Sequence, residues 1–318
     1  MSRIYEALQK AESERSLERT EERREAPVSE VPASVATHAP VAVAEAEYEI
    51  PETRPVEDLY VEPPVPASGS ELNLSGIVRR HWTPALEQLP ALLERGPAVE
   101  QFRSLRSRIY EMRDINPLKT ILVTSGMPQE GKSFISINLA LSLARHKNSK
   151  VLLIDGDMRR FTLHQILGCE SQPGLAEYLA GKVSMMDVMQ RSDASTEVGG
   201  VGKALLPSLT FIAGGNGGDK AADLSGSPRF GELIRAAAPY FDWIIVDSSP
   251  VLPVSDAVNL ARSCDGVLLV ARGGVTKYPV AQRAQSELKA SNVLGFVLNA
   301  VHEAPQVGSY YGYDANKN

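Results

Sequence analysis

The segment Gly126-Met127-Pro128-Gln129-Glu130-Gly131-Lys132-Ser133 decides the fold. It follows the apolar run Ile121-Leu122-Val123-Thr124-Ser125 and leads into a helical pattern from Lys132 to His146. The glycines and the Lys-Ser pair stand at the spacing of a phosphate loop, and the strand before and helix after supply the context that such a motif needs. In that setting the loop curls so that successive backbone N–H groups face phosphate oxygens, and the helix N-terminus adds a favourable dipole. Lys132 is placed to reach the β- and γ-phosphates, and Ser133 to offer its hydroxyl to Mg²⁺. Gly126, Met127, Pro128, Gln129, Glu130, Gly131, Lys132, Ser133 and the following Phe134 are therefore the expected nucleotide-binding set. A Gly-rich turn that merely starts a helix leaves the Lys-Ser pair unexplained.

Working outward, Val151-Leu152-Leu153-Ile154 ends on Asp155-Gly156-Asp157, and Trp243-Ile244-Ile245-Val246 ends on Asp247. The carboxyl ends of strands are where α/β sheets bind ligands. Alternation along an extended chain points Asp155 and Asp157 the same way, toward the metal and the γ-phosphate, and Asp247 reads as the Walker B acid. Any one of these acids alone could be an ordinary turn or cap residue. Three of them at strand ends, in a chain with a phosphate loop, favour the functional reading.

Further β-branched runs lie at Thr120–Thr124, Leu209–Ile212, Gly266–Ala271 and Val293–Leu298, with helical patterns at Pro228–Ala237 and near Pro279–Lys289. Phe102, Leu105, Ile109 and Met112 mark one apolar helix face, with Glu100, Arg103 and Arg106 on another. Continuous apolar strands separated by helices predict an α/β fold, a mostly parallel sheet covered by helices on both faces. Asn299 closes the last strand, where its amide can pair with a nucleobase edge or simply end a turn. Gly199-Gly200-Val201-Gly202-Lys203-Ala204 mimics a phosphate loop, but it has no strand before it and no hydroxyl after its lysine, and reads as a surface loop. His146 and His164 read as surface residues, and no zinc pattern exists.

The chain has 318 residues, 43% hydrophobic and 23% charged, which excludes collagen-like, wholly disordered and disulfide-scaffold classes. Two cysteines, Cys169 and Cys264, point to a reducing compartment. No run approaches the roughly 20 apolar residues that a membrane span requires. The net charge of −6 is uneven: residues 1–75 hold 7 basic and 16 acidic side chains, a balance of −9, and the rest carries +3. Eight prolines between Pro27 and Pro66 make residues 26–75 an expected disordered acidic tether. Ile4, Leu8 and Ala11 predict a short helix within residues 1–25. A nucleotide-binding domain is expected over 76–305. Residues 306–318 form an expected flexible tail, in which Tyr310, Tyr311 and Tyr313 present phenol hydroxyls.

Taken in order, the phosphate loop with Met127 at its second position, the LLIDGDMR and IIVDSSP segments, the terminal tyrosines and Glu100-Gln101-Phe102-Arg103-Ser104-Leu105-Arg106 resemble the bacterial tyrosine kinase family of capsule and exopolysaccharide synthesis. The resemblance covers roughly 97–318. It implies an ATP- and Mg²⁺-dependent protein tyrosine autokinase in which Lys132 neutralises phosphate charge. It also implies that Ser133, Asp157 and Asp247 organise the metal, directly or through water, and that Asp155 takes the phenol proton. Tyr310, Tyr311 and Tyr313 become acceptors in trans within a homo-oligomeric ring, whose interface would use Glu100, Arg103 and Arg106. The family is stimulated by a membrane protein, which implies a separate membrane-anchored polysaccharide co-polymerase as activator, a cytoplasmic chain at the inner face of the plasma membrane, contact with the membrane only through that partner, and no nucleic acid. Ser249 departs from the pattern, standing where the family has the first of two prolines. The alternatives are a partitioning or cell-division-site ATPase switch, whose members carry lysine where this chain has Met127, and a non-catalytic nucleotide-binding assembly protein.

Overall fold

The computed structural model describes residues 74–146, 149–193 and 209–301. In chain order its first elements are β1 (Val78–Arg80), α1 (Pro97–Ile115), β2 (Thr120–Ser125), α2 (Lys132–Ala144), β3 (Val151–Asp155), α3 (Leu163–Leu167), α4 (Leu175–Leu179), α5 (Met185–Val188) and β4 (Met189–Ser192). There follow β5 (Leu209–Ile212), α6 (Ala221–Ser225), α7 (Pro228–Ala237), β6 (Trp243–Asp247), α8 (Asp256–Ala261), β7 (Gly266–Arg272), α9 (Tyr278–Glu287) and β8 (Val293–Asn299).

The eight strands form one sheet in the order β1-β4-β5-β3-β6-β2-β7-β8. Every pairing is parallel except β4 with β5, so β1 and β4 run against the rest. The central strands β2, β3 and β6 are buried along their whole length. Alternate residues divide between two cores: Ile121, Val123, Leu153 and Ile245 belong to one, and Leu122, Leu152, Ile154, Ile244 and Val246 to the other. This is why those strands read as unbroken apolar runs: both faces are covered.

Helix α2 is buried from Ile135 to Ala144, because it lies between the sheet, α1 and the turn Pro90–Leu92. Its buried Asn138 donates to the carbonyls of Gln88 and Phe134 (both 2.9 Å) and accepts the Ala91 N–H (3.1 Å), which satisfies a polar group inside the core. The expected face of α1 packs inward, with Phe102 and Ile109 buried and Leu105 and Met112 partly so.

Several features differ from the sequence-based expectations or add to them. Trp82, Leu89, Ala91 and Leu92, ahead of the first predicted helix, are buried in the first core. Helix α2 stops at Ala144 rather than His146. His146 and His164 are half-buried and pack against Tyr110 and Phe161, with ring centroids 5.0 and 5.3 Å apart. Leu74 and Ser75 begin a 3₁₀ turn, Leu74–Gly76, at the end of the expected tether. The rest of the tether, the helix expected within 1–25, the glycine-rich 199–204 loop and Tyr310, Tyr311 and Tyr313 lie outside the described residues.

Candidate nucleotide and phosphoryl-transfer site

Sheet order places β3, β6 and β2 side by side, so the loops at their carboxyl ends meet at one edge. The phosphate loop leaves β2 there, with Gln129 and Gly131 both at positive φ, +65° and +93°, as a tightly curled loop requires. The Glu130 side chain is buried. Its Oε2 accepts the Met127 N–H (2.8 Å), and its Oε1 accepts the Thr276 hydroxyl. Thr276 in turn accepts the Arg272 N–H (2.8 Å), which ties the loop to the turn after β7. Asn299, at the end of β8, donates to the Glu130 carbonyl (3.0 Å). One of the two Nδ2 hydrogens is therefore engaged with the loop backbone, and a role at a base edge falls to Oδ1 and the other hydrogen.

Beneath the loop, the Ser133 hydroxyl donates to Asp247 Oδ2 (2.6 Å), and the Ser136 hydroxyl is shared between Asp247 Oδ1 (2.9 Å) and the Lys132 carbonyl (2.8 Å). Lys132 Nζ lies 3.1 Å from Asp157 Oδ2 and also donates to Ser133 Oγ (3.3 Å). Asp155 is fully buried, and its two oxygens accept the N–H groups of Asp157 and Leu163 (3.2 Å each). The Gly156 N–H donates to the Asp247 carbonyl (2.8 Å), and a Cβ at Gly156 would stand 2.6 Å from that oxygen. Glycine is what lets the two acidic strand ends lie this close.

The electrostatics follow from this crowding. Burial, and then the neighbouring Asp247, push the Asp155 carboxyl well above the usual carboxylate range, against the pull of the Leu163 N–H and Lys132. Burial also raises Asp247, opposed by Lys132 and the two serine hydroxyls. Burial alone would lower the Lys132 ammonium, but Asp247 and Asp157, with Asp155 behind them, outweigh it and hold its pKa above the ordinary lysine value. Three carboxyl groups thus crowd one ammonium, and burial with mutual repulsion disfavours ionisation of Asp155 and Asp247.

A cleft of about 440 Å³ opens over this cluster, between the phosphate loop with Lys132, Ser133 and Phe134 on one side and Ser249, Pro250 and Pro253 on the other. Arg159 and Arg160 line its rim. Arg159 is held by the buried Asp256 through a forked pair, Nε to Oδ2 at 2.7 Å and Nη2 to Oδ1 at 3.3 Å. Ser249 donates no hydrogen bond, and its carbonyl accepts the Thr124 hydroxyl (2.8 Å). On α1, Arg103 pairs with Glu100 (2.6 Å), whereas Arg106 turns to α2 and donates to the Ser142 carbonyl (2.9 Å).

Thus Lys132, Ser133, Asp155, Asp157 and Asp247 come together as the sequence predicts, while Glu100, Arg103 and Arg106 sit on α1. The sequence reading missed Ser136, Gly156, Arg159, Asp256 and Thr276. Ser136 lies one helical turn from Ser133 and could have been found by that spacing. Arg159 follows Asp157 within the same segment. Asp256 and Thr276 carry no local signal.

The fold and site define a phosphate-loop nucleotide-binding protein, and a family model described as an AAA domain matches residues 119–277. The tyrosine-protein kinase YwqD of Bacillus subtilis is 32% identical over 220 residues, covering 69% of this chain and 86% of that protein. The tyrosine-protein kinase etk of Escherichia coli is 32% identical over 234 residues, 72% of this chain but 30% of that protein. The chain likewise spans about a third of the length of two other long curated relatives, 34% and 31%. The solved kinase domain of the Escherichia coli tyrosine kinase ETK superposes with a TM-score of 0.57 at 29% identity, over 66% of this chain and 80% of that domain. The chain belongs to the bacterial tyrosine-protein kinase family. Among the described residues, no helix is long and apolar enough to cross a membrane.

Proposed function

We propose that the chain is an ATP-dependent protein tyrosine autokinase that phosphorylates Tyr310, Tyr311 and Tyr313 of a second copy and thereby regulates polysaccharide synthesis and export. The observation that carries this reading is the convergence of Lys132, Ser133, Asp157 and Asp247 under a phosphate loop in a member of this family. Membership of that family supports a kinase over a partitioning ATPase. The intact acid set supports an enzyme over an assembly protein.

In the proposed reaction the phenol oxygen bonds to the γ-phosphorus, the bond from that phosphorus to the β,γ-bridging oxygen breaks, and ADP leaves. The phenol proton passes to Asp155, whose raised proton affinity suits an acceptor. Lys132, held between Asp157 and Ser133, exchanges those partners for phosphate oxygens. The backbone N–H groups of the loop orient the β- and γ-phosphates.

The donor set fits Mg²⁺. Ser133 and Asp247 would offer oxygen ligands, with Asp157 lining the same cleft, and a cation there would relieve the crowding of the carboxyl groups. When bound, Mg²⁺ supplies charge neutralisation between the phosphates.

The remaining assignments belong to the same proposal. Glu100, Arg103 and Arg106 contribute to a ring of copies. A membrane-anchored co-polymerase acts as activator and recruits a cytoplasmic chain to the inner face of the membrane. Phosphorylated tails, each gaining roughly −1.5 to −2 charges, repel one another and loosen the ring.

The test is mass spectrometry for phosphotyrosine after incubation with Mg·ATP and a membrane activator, wild type against Lys132→Met. Phosphate on the three tail tyrosines of the wild type alone is expected. An unmodified wild type under these conditions would overturn the kinase reading, and ATP-dependent dimers that bind DNA or lipid without phosphotyrosine would favour the ATPase switch.

A further inference from the structure

A second pocket, of about 250 Å³, is lined by α1, the end of α2 and Ala91. Its wall is apolar at Val99 and Phe102 and basic at Arg103, Arg106 and Arg145, with His146 beside them. The two inner guanidinium groups are already held in place. Arg106 donates only through Nη1, to the carbonyl and hydroxyl of Ser142 (2.9 and 3.3 Å). Arg145 donates only through Nη1, to the carbonyls of Ala91 and Leu93 (2.7 and 2.8 Å). Among the described residues, the Nε–Nη2 edges of both have no acceptor, and neither side chain has an acidic partner. Arg103 alone has one, Glu100 (2.6 Å), and it also donates to the Glu94 carbonyl (3.1 Å). Burial lowers the proton affinity of Arg106, Tyr110 partly offsets this, and Arg103 and Arg145 lower it further. The cluster is three guanidinium groups crowded together with one counter-ion, Glu100, which pairs with Arg103 alone.

We propose that this pocket binds an aryl phosphate, in the protein the phosphorylated side chain of a tyrosine from a second copy of the chain. The free edge of a guanidinium is the one that grips an oxyanion through two parallel N–H bonds. Two such edges, fixed in advance by main-chain carbonyls and the Ser142 hydroxyl, suit a phosphoryl group, which offers three acceptor oxygens and up to two negative charges where a carboxylate offers two oxygens and one charge. Phe102 and Val99 supply an apolar wall for an aromatic ring. The tyrosine source rests on the kinase reading, whereas the chemistry of the pocket does not. Occupancy would set a phosphorylated tail on the helix proposed to hold the ring, so that phosphorylation and assembly compete for one surface.

The test is calorimetric titration of the full chain with phenyl phosphate, the phosphate loop being kept saturated with Mg·ADP. Saturable one-to-one binding is expected. Arg106→Ala and Arg145→Ala should each weaken it by about 10-fold or more, the range for a lost hydrogen bond to a charged group. Arg145→Lys, which keeps the charge without the fork, should weaken it nearly as much while leaving the thermal midpoint close to wild type. Inorganic phosphate should bind more weakly than phenyl phosphate, for want of the ring. No saturable binding, equal binding by the arginine variants, or equal affinity for inorganic phosphate would each overturn the proposal. Because the probe is added from outside, the outcome is independent of whether the chain makes phosphotyrosine, which the Lys132→Met comparison decides separately.

Discussion

Asn299 Nδ2 lies 3.0 Å from the carbonyl oxygen of Glu130, and the same atom stands 1.9 Å from where a Cβ at Gly131 would be. The last strand of the sheet therefore reaches back to shape the phosphate loop, and the loop can accept that contact only with glycine at position 131. Gly131→Ala adds a clash to a backbone already at φ +93°. Nucleotide affinity should fall roughly 10- to 100-fold, from strain of about 1–3 kcal/mol. Asn299→Gly in the same chain removes the clash but not the strain, so it should restore part of the loss. Titration with a fluorescent nucleotide analogue checks both, and full restoration would show that the clash alone sets the cost.

Thr276 acts on the same loop from the other side. Its hydroxyl donates to the buried Glu130 carboxylate, which also holds the Met127 N–H. Thr276→Val leaves that carboxylate short of a donor, at a cost of about 1–3 kcal/mol. The consequence should appear as a raised KM for ATP with kcat little changed, since Thr276 positions the loop and touches no reacting atom. Thr276→Ser should rescue it. A drop in kcat at unchanged KM would contradict this role.

The strands were legible because parallel strands covered on both faces leave nothing but apolar residues to read, as in Val151–Asp155 and Trp243–Asp247. The acids were legible because those runs stop on them. Strands β1 and β4 were not, since Val78-Arg79-Arg80 and Met189-Gln190-Arg191-Ser192 are short and mix charge with apolar residues. Helices α3 and α4 span five residues each, too few for an apolar period to show. The supports of the site were hidden for a different reason. Asp256 meets Arg159 across 97 residues and Thr276 meets Glu130 across 146, and separations of that size are set by the tertiary fold. The burial of the Glu130 carboxylate against the Thr276 hydroxyl belongs to the same class.

Ser133 and Ser136 both donate to Asp247, one to each oxygen, at 2.6 and 2.9 Å. Ser133 is the proposed metal ligand as well, whereas Ser136 reaches the metal only through the carboxylate and shares its hydroxyl with the Lys132 carbonyl (2.8 Å). Ser136→Ala should raise the Mg²⁺ concentration needed for half-maximal activity by about 10-fold, as loss of an outer partner does. Ser133→Ala should raise it further and should also change the relative activity with Mn²⁺, because the ligand set itself changes. Metal titrations of autophosphorylation separate the two, and identical behaviour would place both serines in one role.

Asp155 should show activity and stability pulling apart. It is fully buried beside Asp247, and burial followed by that neighbour holds its pKa well above the unfolded value. A carboxyl whose folded pKa is raised contributes stability that is fully present below its unfolded pKa and is lost as pH rises through the folded one. As pH rises above the unfolded value the wild type therefore carries a growing cost for keeping this carboxyl buried, first by holding its proton and then by ionising. Asp155→Asn removes that charge and offers one amide oxygen where the Asp157 and Leu163 N–H groups now use one carboxylate oxygen each, so one N–H gives up its acceptor and offsets part of the gain. The variant should be more stable than wild type above the raised pKa, by about 1–2 kcal/mol, the usual scale for relieving an active-site residue. The gain should shrink as pH falls and vanish below the ordinary carboxylate pKa of about 3.9, where Asp155 is protonated in both states. Phosphotyrosine formation should be lost in the same variant. Thermal unfolding of the nucleotide-free protein across pH checks the sign, and a variant less stable than wild type at neutral pH would mean that the ionised carboxylate, through its two backbone N–H partners and Lys132, is a net support of the fold.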